Sequence, residues 1–110
     1  MDKLTRYRQV LRQVLGEYAE WSGGGGMTAE VVEDPARDHF ELIRFGWDKH
    51  RYVHGAILHA DVIGERIWIR YDGTNRPLAE ELTAAGVPKE DIVLGYKSPA
   101  LRTLAGYAAG

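Results

Sequence analysis

Between residues 57 and 72 the chain alternates with a period of two around a single glycine-led step. Ile57-Leu58-His59-Ala60-Asp61-Val62-Ile63 runs into Gly64-Glu65, and Arg66-Ile67-Trp68-Ile69-Arg70-Tyr71-Asp72 runs out of it. Such alternation belongs to strands with one buried face, since successive side chains point to opposite sides. Glycine at the first position of a two-residue loop between two strands predicts a β-hairpin closed by a type II′ turn. The loop then sets the pairs: Ile63 with Arg66, Val62 with Ile67, Asp61 with Trp68, Ala60 with Ile69, His59 with Arg70, Leu58 with Tyr71 and Ile57 with Asp72. One face collects Leu58, Ala60, Val62, Ile67, Ile69 and Tyr71, an apolar layer that needs cover. The other collects Ile57, His59, Asp61, Trp68, Arg70 and Asp72, charges mixed with a tryptophan.

The cover comes from the start of the chain. Leu4, Tyr7, Leu11, Val14, Leu15 and Tyr18 recur at helical spacing and predict an amphipathic helix from Lys3 to Glu20. Arg6, Gln9, Gln13, Glu17 and Glu20 take its other side, and Arg8 and Arg12 form an i,i+4 basic pair on the flank. Ser22 and the run Gly23–Gly26 end the helix, and residues 22–27 are expected as a mobile connector. This is not a phosphate loop, because the lysine and hydroxyl of a Walker-type loop are absent. Further strands are predicted at Glu30–Glu33 and His39–Trp47, with the hairpin strands at Arg51–Ile63 and Arg66–Tyr71. Along the second, Phe40, Leu42 and Arg44 face one way and His39, Glu41, Ile43 and Phe45 the other. A helix follows from Arg76 to Ala85, capped by Thr74 or Asn75 and ended by Gly86. Pro88–Asp91 makes a further helical turn before the apolar Ile92-Val93-Leu94. Ser98 and Pro99 open a short final helix through Leu101, Leu104 and Tyr107. The fold class is α+β: one domain over residues 1–110, an antiparallel meander of about four strands, with the N-terminal helix and the C-terminal helices on one face.

Composition narrows the chemistry. The 110 residues include 14 Lys+Arg against 16 Asp+Glu, a formal net charge of -2. A protein that grips nucleic acid mainly through phosphates carries a basic surplus, and this chain has none. There is no cysteine, which excludes disulfides, a thiol nucleophile and thiolate metal sites. The N-terminus lacks the apolar run of a secretory signal, and no segment approaches the ~18 apolar residues of a membrane span. A cytoplasmic protein without membrane contact is expected.

The remaining candidates for chemistry are sparse. Of His39, His50, His54 and His59, the last two are five apart on one strand and point to opposite faces. His59 and Asp61 share a face, and such a pair can bind metal or pass protons. With Arg70 opposite and no third ligand placed, the pair reads instead as a cross-strand polar ladder worth about 0.2–1 kcal/mol. Asp72-Gly73-Thr74 reads as a strand exit with turn and capping residues. Ser22 and Ser98 lie in no nucleophile elbow. No catalytic residue, cofactor or metal is expected, and an enzyme built on His59 and Asp61 ranks last. Trp47 and Trp68 suit a protein interface better than base stacking.

Taken together, several segments carry a resemblance. They are Tyr7-Arg8 with Leu11, Leu15, Glu17 and Tyr18; Arg37-Asp38-His39-Phe40-Glu41-Leu42; Gly46-Trp47; Arg51-Tyr52-Val53-His54-Gly55; Leu58-His59-Ala60-Asp61-Val62; Ile67-Trp68-Ile69; Asp72-Gly73-Thr74; Ala79-Glu80-Glu81-Leu82; Gly86 through Gly95; and Ser98-Pro99. The chain resembles the XisI family, the fdxN-element excision controlling factors of filamentous cyanobacteria and other bacteria. The Gly23–Gly26 run departs from the family in a loop of variable length. The resemblance implies an accessory or regulatory role in programmed excision of a DNA element. It also implies a partner, the XisH-like protein encoded beside family members, which resembles nuclease-fold enzymes; an antitoxin-like inhibitor is one form of that role. The contact is expected on the His59, Asp61, Trp68, Arg70 and Asp72 face or at the loop around Tyr96 and Pro99, and self-association is plausible. The alternative is a direct DNA-binding accessory protein using Lys3, Arg6, Arg8 and Arg12.

Overall fold

A computed structural model describes residues 2–110. Helix α1 spans Lys3–Ser22, and the Asp2 side chain caps it by accepting from the Thr5 amide at 2.8 Å. Its stripe of Tyr7, Leu11, Val14, Leu15 and Tyr18 is buried, as its spacing predicts. Five strands follow: β1 Met27–Asp34, β2 His39–Asp48, β3 Arg51–Ile63, β4 Arg66–Asp72 and, after helix α2 at Leu78–Ala84, β5 Ile92–Leu94. They form one sheet in the order β1-β2-β3-β4-β5. The first four pair antiparallel, and β5 joins β4 in parallel with Ile67 opposite Ile92. The fold is therefore α+β with five strands rather than four. The extra strand is the Ile92-Val93-Leu94 run, buried throughout, as a short strand reached by a helical crossover generally is.

The end of the chain differs from the expected helix. Only a 3-10 turn forms at Pro99–Leu101, and Leu104 is largely exposed. Leu101 and Leu104 find no apolar surface, and with it goes the tertiary packing that stabilises short helices. Ala108 instead bridges to Val93, its amide donating to the Ile92 carbonyl at 2.9 Å.

The hairpin holds its expected register from Ile63–Arg66 to Ala60–Ile69. Its turn is of the type I′ class, because both Gly64 (φ 55) and Glu65 (φ 65) take positive φ. Beyond Ala60–Ile69 the ladder shifts by one: Arg70 is extra, His59 faces Tyr71 and Leu58 faces Asp72. This bulge moves Tyr71 out of the expected apolar layer to the outer face, where it is 51% exposed. It also brings Asp72 to the inner side. There the carboxylate accepts from the Thr74 amide and hydroxyl at 2.9 and 2.7 Å and from the Leu78 amide at 2.7 Å. Asp72, rather than Thr74 or Asn75, thus supplies the cap of α2.

A second bulge sits between β2 and β3. Asp48 pairs with Arg51, yet Leu42 pairs with Leu58 while Ile43 pairs with Ala56, so Ile57 is extra. Without it the tight turn at Lys49-His50 would set Phe40 opposite His59. With it Phe40 meets Ala60, both fully buried. The apolar pattern of two strands thus forces the extra residue.

The core lies between the sheet's inner face and the helices, with Phe40, Leu42, Leu58, Ala60, Ile67 and Ile69 against the α1 stripe and Leu78 and Leu82 of α2. Among the described residues the one buried charge is Asp91, 7% exposed, which accepts from the Tyr7 hydroxyl and pairs with the Lys3 ammonium at 2.8 Å. The glycine run closes as a tight turn, Gly24 and Met27 exchanging backbone hydrogen bonds of 3.0 and 3.1 Å. The β1 entry then crosses β2 at Gly46 (φ 144), where any Cβ would collide with the Gly26 carbonyl.

Candidate functional site

Both helices pack on the inner face, so the outer face of the sheet keeps its side chains in solvent or against one another, except at Trp68, which Gly95, Arg102 and Gly110 of the C-terminal segment approach. The Ile57 bulge decides what meets there. It sets His39 opposite Asp61 and Glu41 opposite His59, on adjacent central strands. His39 Nδ1 lies 2.8 Å from Asp61 Oδ1, and its Nε2 lies 2.8 Å from Glu41 Oε2. His59 Nε2 approaches the same Asp61 oxygen at 3.2 Å, and Arg70 Nε donates to Oδ2 at 3.0 Å. The two imidazoles meet edge to face, 4.3 Å between centroids. All of these groups are partly buried except Arg70, which is exposed.

The electrostatics follow from the contacts. The Glu41 hydrogen bond, seconded by Asp61, holds the His39 pKa above the ordinary histidine value despite partial burial. Burial alone raises the Asp61 carboxyl, but Arg70 and His39 together outweigh it and hold the pKa below the usual carboxylate value. The cluster is a compact set of one cation, two carboxylates and two imidazoles, chemically suited to ion pairing or to ligating a cation.

The expected contact residues divide. His59, Asp61, Trp68 and Arg70 do share the outer face. Trp68 is flanked by the Arg70 guanidinium at 4.8 Å and the Arg102 guanidinium at 5.2 Å from its ring. Gly95 lies close enough that a Cβ there would touch both Trp68 and Arg70, and the next residue, Tyr96, is exposed. Asp72 is not part of it, for the bulge turns it to the inner side.

Two further groups join this face, and of them the sequence singled out only Trp47, as an interface residue. His39 and Glu41 join the cluster only through the Ile57 bulge. Alternation along β2 put them on one face, but pairing that face with His59 and Asp61 needed the shifted register. The second group lies at the far end of the face, where Trp47 and Tyr52, 59% and 51% exposed, pack edge to face at 5.2 Å. Phe45 and His54 continue this aromatic end at 6.2 Å.

The basic residues of α1 are engaged elsewhere. Arg8 holds Asp38 in two hydrogen bonds of 2.7 and 2.9 Å, and Arg12 holds Glu33 in two of 2.7 Å. Lys3 is paired with Asp91, and Arg6 donates to the Gly86 carbonyl at 3.0 Å. A separate cleft of about 340 Å³ lies between the end of α1 and the loop before α2, lined by Tyr18, Trp21, Arg44 and Arg76 among others. Arg76 stacks on Trp21 at 4.0 Å, while the buried Arg44 Nε has no partner among the described residues. No described helix is long and apolar enough to cross a membrane.

Comparison with known proteins places this arrangement in a family. The family model "XisI protein" matches residues 1–109. No curated protein matches the chain. Among solved structures, a XisI-like protein from Anabaena variabilis is similar at 30% identity with a TM-score of 0.86, covering 97% of this chain and 99% of that one. The fdxN element excision controlling factor XisI from Anabaena variabilis is similar at 32% identity with a TM-score of 0.82, covering 99% of this chain and 100% of that one. A match over nearly the whole length, in sequence and in fold, makes the chain a member of the XisI family.

Proposed function

We propose that this protein is a controlling factor in the excision of a DNA element, and that it acts by binding a protein partner of the XisH-like kind through the outer face of its sheet. The similar structure named as an excision controlling factor supports the role. The observation that carries the mode of action is the one-sided sheet. Helices cover the inner face, while Trp47, Tyr52 and Tyr71 stand 59%, 51% and 51% exposed on the other. Exposed aromatics rimmed by charge are the usual make-up of a protein interface. The ion pairs on α1 weigh against the DNA-binding alternative. Arg8, Arg12 and Lys3 are each matched by a carboxylate of the same chain, leaving little positive field for phosphates.

Co-expression with the XisH-like neighbour followed by size-exclusion chromatography tests this. The expected result is co-elution at micromolar concentration, lost in a Trp47→Ser/Tyr52→Ser variant that still folds. Separate elution of the two wild-type proteins, together with salt-dependent binding of labelled duplex by the chain alone, favours the DNA reading and removes this one.

A further inference from the structure

We propose that His39, His59 and Asp61 form a binding site for a divalent cation of the zinc class on the outer face of the sheet. The inference concerns the isolated chain and stands whether or not the partner reading holds.

The geometry carries it. One donor atom from each of the three residues lies within 4.8 Å of the others. Around a tetrahedral zinc ion, with nitrogen and oxygen ligands near 2.0–2.2 Å, neighbouring donors sit about 3.3 Å apart. The Asp61 Oδ1 oxygen is already 2.8 Å from His39 Nδ1 and 3.2 Å from His59 Nε2. The two contacts to Asp61 need open by only a few tenths of an ångström, and the two histidine donors, within 4.8 Å of each other, close on the ion by rotation of their rings. The donors come from the paired central strands β2 and β3, so the backbone fixes their separation.

The surroundings have the order expected of a metal site. A ligating histidine usually hands its other ring nitrogen to a carboxylate, which orients the ring and makes it a better donor. Glu41 stands in that place, 2.8 Å from His39 Nε2. The ligating carboxylate is itself usually hydrogen-bonded, and Arg70 bonds Asp61 Oδ2, the oxygen turned away from the histidines. Arg70 therefore works as a brace for the ligand more than as a competitor for the cation. Two imidazoles and one carboxylate form a borderline donor set that favours zinc and its neighbours over magnesium or calcium, which prefer oxygen alone. Three protein ligands leave a fourth position for water or an incoming group.

Calorimetric titration of the full chain, untagged and stripped with chelator, with zinc chloride tests the proposal. One ion per chain is expected, with cobalt giving the intense visible absorption of a four-coordinate ion. His39→Gln and His59→Gln should each weaken zinc at least tenfold. Glu41→Gln should weaken it about tenfold or more, as loss of an outer carboxylate does. His54→Gln, on the same sheet outside the cluster, should change nothing. Should a cluster variant fail to fold, imidazole NMR signals of the wild type answer instead: His39 and His59 shift on zinc addition, and His50 and His54 do not. Absence of binding by the wild type overturns the proposal. So does equal weakening by His54→Gln, or movement of all four histidine signals together.

Discussion

Asp91 is the residue on which the inner side of the molecule depends most narrowly. Buried against α1, it is held by the Lys3 ammonium and the Tyr7 hydroxyl, which reach it from successive turns. Burial by itself pushes its pKa up, but the two partners outweigh this and the net shift is downward from 3.8. A carboxyl lowered in the folded state contributes stability that is present above its unfolded value and lost as pH falls through the lowered native one. Arg12 and Arg8 lower Glu33 and Asp38 in the same direction. Urea unfolding should therefore show stability falling steeply once pH drops below about 4. Asp91→Asn should cost about 1–3 kcal/mol at pH 7, because it breaks a charged pair and disturbs a buried hydrogen bond. The gap between variant and wild type should narrow as pH approaches 3, and midpoints measured at both pH values check this.

At the scale of elements, the two bulges explain what could and could not be read ahead. The α1 stripe, the hairpin and the inner layer of Leu58, Ala60, Val62, Ile67 and Ile69 were legible, since periodicity reports burial directly. Tyr71 and Asp72 were assigned to the wrong faces, because alternation counted from a turn assumes an unbroken ladder, and Arg70 breaks it. The His39–Asp61 contact was hidden for the same reason at Ile57. That second shift was nonetheless recoverable: a tight Lys49-His50 turn and a buried Phe40–Ala60 pair are compatible only with one extra residue between them. The parallel strand Ile92–Leu94 was visible as an apolar run without a pairing partner, which only tertiary packing supplies. The same reasoning separates side chain from spacing at position 70. Arg70→Ala removes one surface ion pair and should cost about 1 kcal/mol or less. Deleting the residue closes the bulge and leaves Tyr71 opposite His59 and Asp72 opposite Leu58, so both keep their faces and the cost should be similarly small. Asp72→Ala alone should cost about 1 kcal/mol, the usual loss of a helix cap. Chemical denaturation of the three variants checks these values.

For the whole molecule, the division of labour between the two sheet faces predicts independence of stability and association. Side chains exposed on the outer face bury little area on folding, so their replacement removes little packing. Trp47→Ser/Tyr52→Ser should therefore cost only about 1 kcal/mol per site, the loss of one half-exposed cross-strand aromatic pair. Without a partner, the same aromatics should drive weak, concentration-dependent self-association that this variant reduces, and sedimentation velocity across a concentration series reads it. The paired bulges also bear on how such a chain can change over generations. Losing Ile57 or Arg70 closes its bulge and leaves every other pair of the ladder in place, whereas losing a paired residue beside either one transposes the rest of that strand between core and solvent. Length should drift at the glycine turn after α1, in the tail around Leu104 and at the two bulge residues themselves, while the paired residues between them keep their number.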